Sequence, residues 1–178
     1  MNVRGNMKQI PQQPAQLFAG HAYTTESSDQ LGTFRPAWTD FEQRLGFKSL
    51  DQLAKTPNRT AMVIFSPYDT LLYWIGSLLP AGTDVPKAYD CFSLPAATAG
   101  QVKQPASQIL AKELPLATSF NKGLQIIEQA GYPLPERLGQ TDHPYYLESY
   151  LLDGTAVKTV AYRLYIDPNQ LTGVDEYE

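Results

Sequence analysis

A chain of 178 residues, 43% hydrophobic and 18% charged, is long enough to bury one sizeable core and short for two. Its 14 Lys and Arg stand against 18 Asp and Glu, a formal charge of -4, so no basic field exists to neutralise a row of phosphates, and direct nucleic-acid binding is not expected. The single cysteine, Cys91, rules out an intrachain disulfide and a thiolate metal cluster. One domain over residues 1–178 is therefore expected, without cofactor or metal, in a reducing cytoplasmic setting. No membrane span is expected either, since no window reaches about 18 apolar residues, and Met1 to Pro14 has Arg4 and Lys8 but no apolar run behind them.

In chain order, Pro11 and Pro14 precede a half-apolar run, Gln16 to Tyr23, which predicts a first strand. Phe34, Trp38, Phe41 and Leu45 then recur at helical spacing, with Gly46 as a natural stop. A polar stretch through Lys55 to Asn58 leads into two apolar runs, Thr60 to Phe65 and Leu71 to Leu79. Ser66-Pro67-Tyr68-Asp69 joins them as a hairpin turn. Because Leu71 to Gly76 is apolar on both faces, that strand is expected to be central. Turn residues from Pro80 to Pro86 close the first half.

The second half repeats the order. Tyr89 to Leu94 and Ala97 to Lys103 are strand candidates around Pro95, and Leu116, Phe120, Leu124 and Ile127 trace a second helical stripe that ends near Gly131. Tyr145 to Leu152 and Ala156 to Ile166 flank Asp153-Gly154-Thr155, a strong hairpin signal. After Pro168 the acidic tail Val174 to Glu178 is expected to fray. The expected fold is α+β. Two strand-helix-hairpin units, about 14–80 and 86–168, form an antiparallel sheet about a pseudo-twofold, with helices on one face and the other left free, where a ligand cleft between the halves is expected.

Several stretches in this order resemble the GyrI-like effector-binding domains, the ligand-sensing domains of multidrug-responsive transcription regulators and their stand-alone relatives. Pro36-Ala37-Trp38-Thr39-Asp40-Phe41 resembles the family's first helix, and Tyr73-Trp74-Ile75-Gly76 the strand that ends in an apolar pair and glycine. Leu94-Pro95-Ala96-Ala97-Thr98-Ala99 resembles its proline-alanine segment, without the customary glycine, and Glu128-Gln129-Ala130-Gly131-Tyr132 its second helix stop. Tyr145-Tyr146-Leu147-Glu148-Ser149-Tyr150 is similar to the strand whose glutamate faces the ligand pocket, and Arg163-Leu164-Tyr165-Ile166 to the closing strand. The resemblance spans about residues 10 to 168.

Strand alternation puts Tyr146, Glu148 and Tyr150 on one face, an aromatic-carboxylate-aromatic row. A buried carboxylate needs a partner or a proton. The residues alone fit either an ordinary wetted sheet face or the wall of a pocket for a cation; the resemblance favours the pocket. Tyr73 and Trp74 point to opposite faces, so at most one of them joins that wall. Trp38 reads first as core and second as ligand contact, Tyr165 is a further wall candidate, and Phe18 is core. His21 and His143 lack metal-ligand spacing, and Cys91 reads as a small buried hydrophobe.

The leading expectation is a stand-alone module that binds a small, largely apolar, aromatic or cationic molecule, because too few residues precede Gln16 for a helix-turn-helix. The resemblance also implies two alternatives: a hydrolase of strained, cyclopropane-bearing compounds with Glu148 as general base, and an interaction or inhibitor module with a protein partner. Exposed strand edges would permit a homodimer.

Overall fold

The computed structural model describes residues 9–172; the acidic tail over 174–178 lies outside them. Eight strands join in one antiparallel sheet: β1 (Gln12–Gln13), β2 (Gln16–Tyr23), β3 (Asn58–Phe65), β4 (Leu71–Pro80), β5 (Asp90–Leu94), β6 (Ala97–Pro105), β7 (Tyr145–Asp153) and β8 (Ala156–Tyr165). Three helices accompany it, α1 (Arg35–Arg44), α2 (Lys48–Leu53) and α3 (Leu116–Gln129), which makes the fold α+β as expected. Among the described residues no helix is long and apolar enough to cross a membrane.

The strand order is β1-β6-β8-β7-β3-β4-β2-β5. Exchanging the halves maps β6-β8-β7 onto β2-β4-β3, with the two units joined where β3 pairs β7. The short flanking strands are traded. β1 leads into β2 yet pairs β6, and β5 leads into β6 yet pairs β2. Gln13 opposite Ala97 and Gln16 opposite Leu94 belong to one antiparallel alignment, interrupted only at Pro14 and Pro95, which have no N–H to give a ladder. The two ends of the sheet thus meet, and the sheet curls.

Local chemistry explains the helices. Pro36 occupies the first turn of α1, where a missing N–H costs nothing, and Gly46 takes φ 73° so that its N–H closes on the Phe41 carbonyl at 2.8 Å. Gly131 ends α3 in the same left-handed way, at φ 100°. The short α2 was not foreseen. Six residues are too few for a periodic stripe, and its buried residue is Leu50. Asp51 on α2 holds Arg59 of β3 by two hydrogen bonds, at 2.6 and 3.0 Å, while that guanidinium lies 4.2 Å above the Phe47 ring.

α1 and α2 pack mainly on β4 and α3 mainly on β8 and β6, one helix layer to each side of the seam where β3 pairs β7. The helix-covered face carries the larger core, including Trp38, Phe41, Leu50, Val63, Tyr73, Ile75 and Ile127. The other face was expected to stay free. Instead Phe18, Met62, Trp74, Leu94, Leu147 and Tyr165 fill it as a second buried cluster, covered by the curl of the sheet itself. β4 is accordingly central and apolar on both sides, as the sequence implied. Cys91 departs from its expectation: at the outer strand β5 it is exposed, because β5 has a neighbour on one side only.

Candidate functional site

Alternation along β7 sends Tyr146, Glu148 and Tyr150 to the helix-covered face, at the seam between the two halves. All three are buried, with Glu148 only 3% exposed. Both carboxylate oxygens are occupied: the Tyr146 hydroxyl donates to Oε1 at 2.9 Å and the Tyr150 hydroxyl to Oε2 at 2.5 Å. Tyr150 in turn accepts from the Ala111 backbone N–H at 3.1 Å, and the Tyr146 ring stands edge-on to Phe120 of α3, centroids 5.0 Å apart.

The charge is left without a counter-charge. None of the ion pairs among the described residues includes Glu148. Burial pushes its pKa up, and the hydrogen bonds from Tyr150 and Tyr146, with the field of Lys122, offset only part of that rise. The neighbouring phenols move the same way. Burial and the Glu148 charge raise Tyr146 and Tyr150, and lift Tyr162 to about 12.

Tyr162 lies directly across from Glu148 on β8, and its place was not foreseen. Counting back from the Asp-Gly turn would set Ala161 there, but a bulge between Leu151 and Leu152 shifts the ladder by one residue and brings the phenol round instead.

Of the other expected residues, Tyr73 shares this face and feels the Glu148 charge. Its ring stacks on Phe34 at 4.0 Å, and its hydroxyl accepts from Trp38 Nε1 at 2.9 Å, so Trp38 enters the constellation through Tyr73. Trp74 and Tyr165 do not join it. Both belong to the cluster on the opposite face, where Trp74 packs edge-on against Phe18 at 5.8 Å and Tyr165 against Tyr145 at 5.6 Å. Trp74 Nε1 is a buried donor with no partner there.

Two open clefts flank the β3–β4 hairpin, of about 710 and 530 Å³, and Phe65 lines both. The larger is also walled by Leu124 of α3. From it a run of rings leads inward: Phe65 meets Phe120 at 5.0 Å, and Phe120 meets Tyr146. The carboxylate thus lies behind an aromatic partition whose outer side faces a cleft.

No protein-family model and no curated protein matches this sequence. Solved structures do. SAV2435 bound to tetraphenylphosphonium superposes with a TM-score of 0.58 at 13% identity, over 90% of this chain and 94% of that one. A candidate bacterial transcription regulation protein from Staphylococcus aureus MU50 gives a TM-score of 0.54 at 14% identity, over 90% and 99%. The chain shares their fold. At such identities the likeness concerns the backbone, and it is consistent with the GyrI-like effector-binding architecture that the sequence resembles.

Within that fold Gly123 of α3 sets how closely the helix meets the row. A Cβ there would stand 1.8 Å from the Tyr146 hydroxyl oxygen. Gly123→Ala is therefore expected to drive that hydroxyl off Glu148 while the chain still folds, since a tyrosine ring can swing where backbone cannot. The phenol absorption of Tyr146, followed by difference spectroscopy against Tyr146→Phe, is the check: an unchanged environment would mean that α3 stands further from β7 than described.

Proposed function

We propose that this chain binds a small, largely apolar cation at the seam between its halves, with Glu148 supplying the negative charge and Tyr146, Tyr150, Tyr73 and Tyr162 the aromatic wall. The observation that carries this reading is the buried carboxylate itself, 3% exposed and held by phenols without a cationic partner among the described residues. A structural role does not call for it, since a neutral residue of the same shape would avoid the desolvation cost. A cation entering beside Glu148 offsets that cost, and each tyrosine face adds about 0.5–2 kcal/mol of cation-π attraction.

Tetraphenylphosphonium on a protein of the same fold gives the reading its ligand chemistry, an aromatic cation. In the closed form described here the rings of Phe65, Phe120 and Tyr146 separate the outer cleft from Glu148, so a ligand selects a minor, opened state and its apparent affinity is lowered by that state's fraction. The role is that of a cytoplasmic effector-binding or sequestering module related to multidrug-sensing domains.

Titration with tetraphenylphosphonium, followed by tryptophan fluorescence through Trp38, tests it. Saturable micromolar binding is expected, weakened about tenfold or more in Glu148→Gln. Binding of equal strength in the variant, or none in the wild type, overturns the reading. One feature also fits catalysis: a carboxyl with a raised pKa beside phenol hydroxyls is suited to proton transfer. Turnover of a cyclopropane-bearing compound, lost in Glu148→Gln with binding retained, would establish the hydrolase reading over sequestration.

A further inference from the structure

The face turned away from the helices carries the opposite charge in a second recess. Arg163 of β8 is 7% exposed, as deeply placed as many core side chains, and no carboxylate pairs with it among the described residues. Its guanidinium is held by neutral groups: Nε donates to Gln101 Oε1 at 2.8 Å, and Nη1 to Gln16 Oε1 at 2.7 Å and to the Tyr165 hydroxyl at 3.4 Å. Nη2 has no hydrogen-bond partner among the described residues, and it is not sealed off as a buried orphan.

A cavity of about 200 Å³ opens beside it. Two further cations, Lys55 and Lys103, line that cavity together with Ser149 and Asn58, whose side chains are already hydrogen-bonded to Thr60 and to neighbouring backbone, and no acidic side chain is in the wall. Three positive charges gathered around one recess, in a chain of formal charge -4, is an arrangement that repels itself unless an anion lies between them. The two glutamines meanwhile fix the guanidinium plane, leaving its free amino group available to an incoming oxygen.

We propose that this recess is a binding site for a small oxyanion, a phosphate or carboxylate group, recognised by Arg163 with Lys55 and Lys103. The volume equals that of roughly half a dozen waters at ~30 Å³ each, which admits inorganic phosphate or a short dicarboxylate. The site is on the sheet face opposite Glu148, so it stands or falls independently of the cation site.

Calorimetric titration of the full chain with inorganic phosphate, and separately with succinate, at constant ionic strength is the test. Saturable binding of one or both at millimolar or lower concentration is expected, about tenfold weaker in a Lys55→Ala/Lys103→Ala double variant. Both lysines are exposed, so that variant keeps the fold. Arg163→Lys, which retains the charge but loses the fork, is expected to weaken binding as well. Phosphate alone binding would identify a phosphate-bearing ligand, and succinate alone a carboxylate. Heats that do not saturate with either anion, or equal affinity in the double lysine variant, overturn the proposal.

Discussion

Gly76→Ala is expected to lower the thermal midpoint by about 6–12 °C, the consequence of roughly 3 kcal/mol of overpacking in a domain of this size. Gly76 of β4 sits directly opposite Gly20 of β2, and the two backbones approach so closely that neither position has room for a side chain. A Cβ at Gly76 would lie 2.0 Å from the Ala19 carbonyl oxygen and 2.7 Å from the Gly20 Cα, and one at Gly20 would lie 1.9 Å from the Ile75 carbonyl oxygen. Every obstacle is main chain in a paired strand, so relief requires the strands to part. Gly100 provides the contrast: its Cβ would meet the Tyr132 ring at 2.8 Å, a side chain that can yield. Gly100→Ala is thus expected to cost clearly less. Scanning calorimetry on the two variants decides the matter, and a Gly76→Ala midpoint within about 2 °C of wild type would contradict the close approach.

Glu148→Gln is expected to be more stable than wild type above neutral pH, by about 1.4 kcal/mol for each unit by which folding raises the Glu148 pKa. The sign follows from which form the fold prefers. The unfolded carboxyl titrates near the ordinary value of 4.5, and burial raises the folded value above it, so the protonated form is the one the native state favours. The stability contributed by that group is complete below about 4.5 and is lost as pH rises through the folded value. Glutamine, uncharged at every pH, escapes the loss. Urea unfolding of both proteins from pH 4 to pH 8 should show curves that coincide at the acid end and separate upward. A constant offset, or a wild type that gains on the variant with rising pH, would show that Glu148 is ionised at no cost and would remove the physical ground for a cationic ligand.

These two expectations concern one design. The close pairing of β2 with β4 holds the first half together, and β3 with β7 joins it to the second, so that β7 carries its carboxylate at the line where the two halves meet. Opposite faces of the central strands then bear opposite charges: Glu148 on β7 toward the helices, Arg163 on the paired β8 away from them. Each is buried without a counter-ion among the described residues, and each lies by a cavity or behind a partition leading to one. A protein selected for stability alone would keep neither.

Much of this was legible in the residues. A half-apolar run after two prolines located β2 to its end residues, helical spacing both long helices, and turn residues between apolar runs both hairpins, because those patterns reflect local chemistry and which side chains face a core. The same alternation put Tyr146, Glu148 and Tyr150 on one face and separated Tyr73 from Trp74. What periodicity does not contain is which face of a sheet the helices will cover, because that depends on long-range pairing. Tyr73 rather than Trp74 therefore turns toward Glu148, Tyr165 lies on the far side, and Tyr162 stands across from Glu148 because a one-residue bulge, invisible in the pattern, shifts the register of β8. The curl that buries the helix-free face has the same origin: it arises when Gln13 meets Ala97 and Gln16 meets Leu94, contacts between segments far apart in the chain. The sequence by itself determined the elements and the row of groups along β7. Only the tertiary structure decided their neighbours, since the free energy that selects one face over the other comes from packing between elements, which no local spacing encodes.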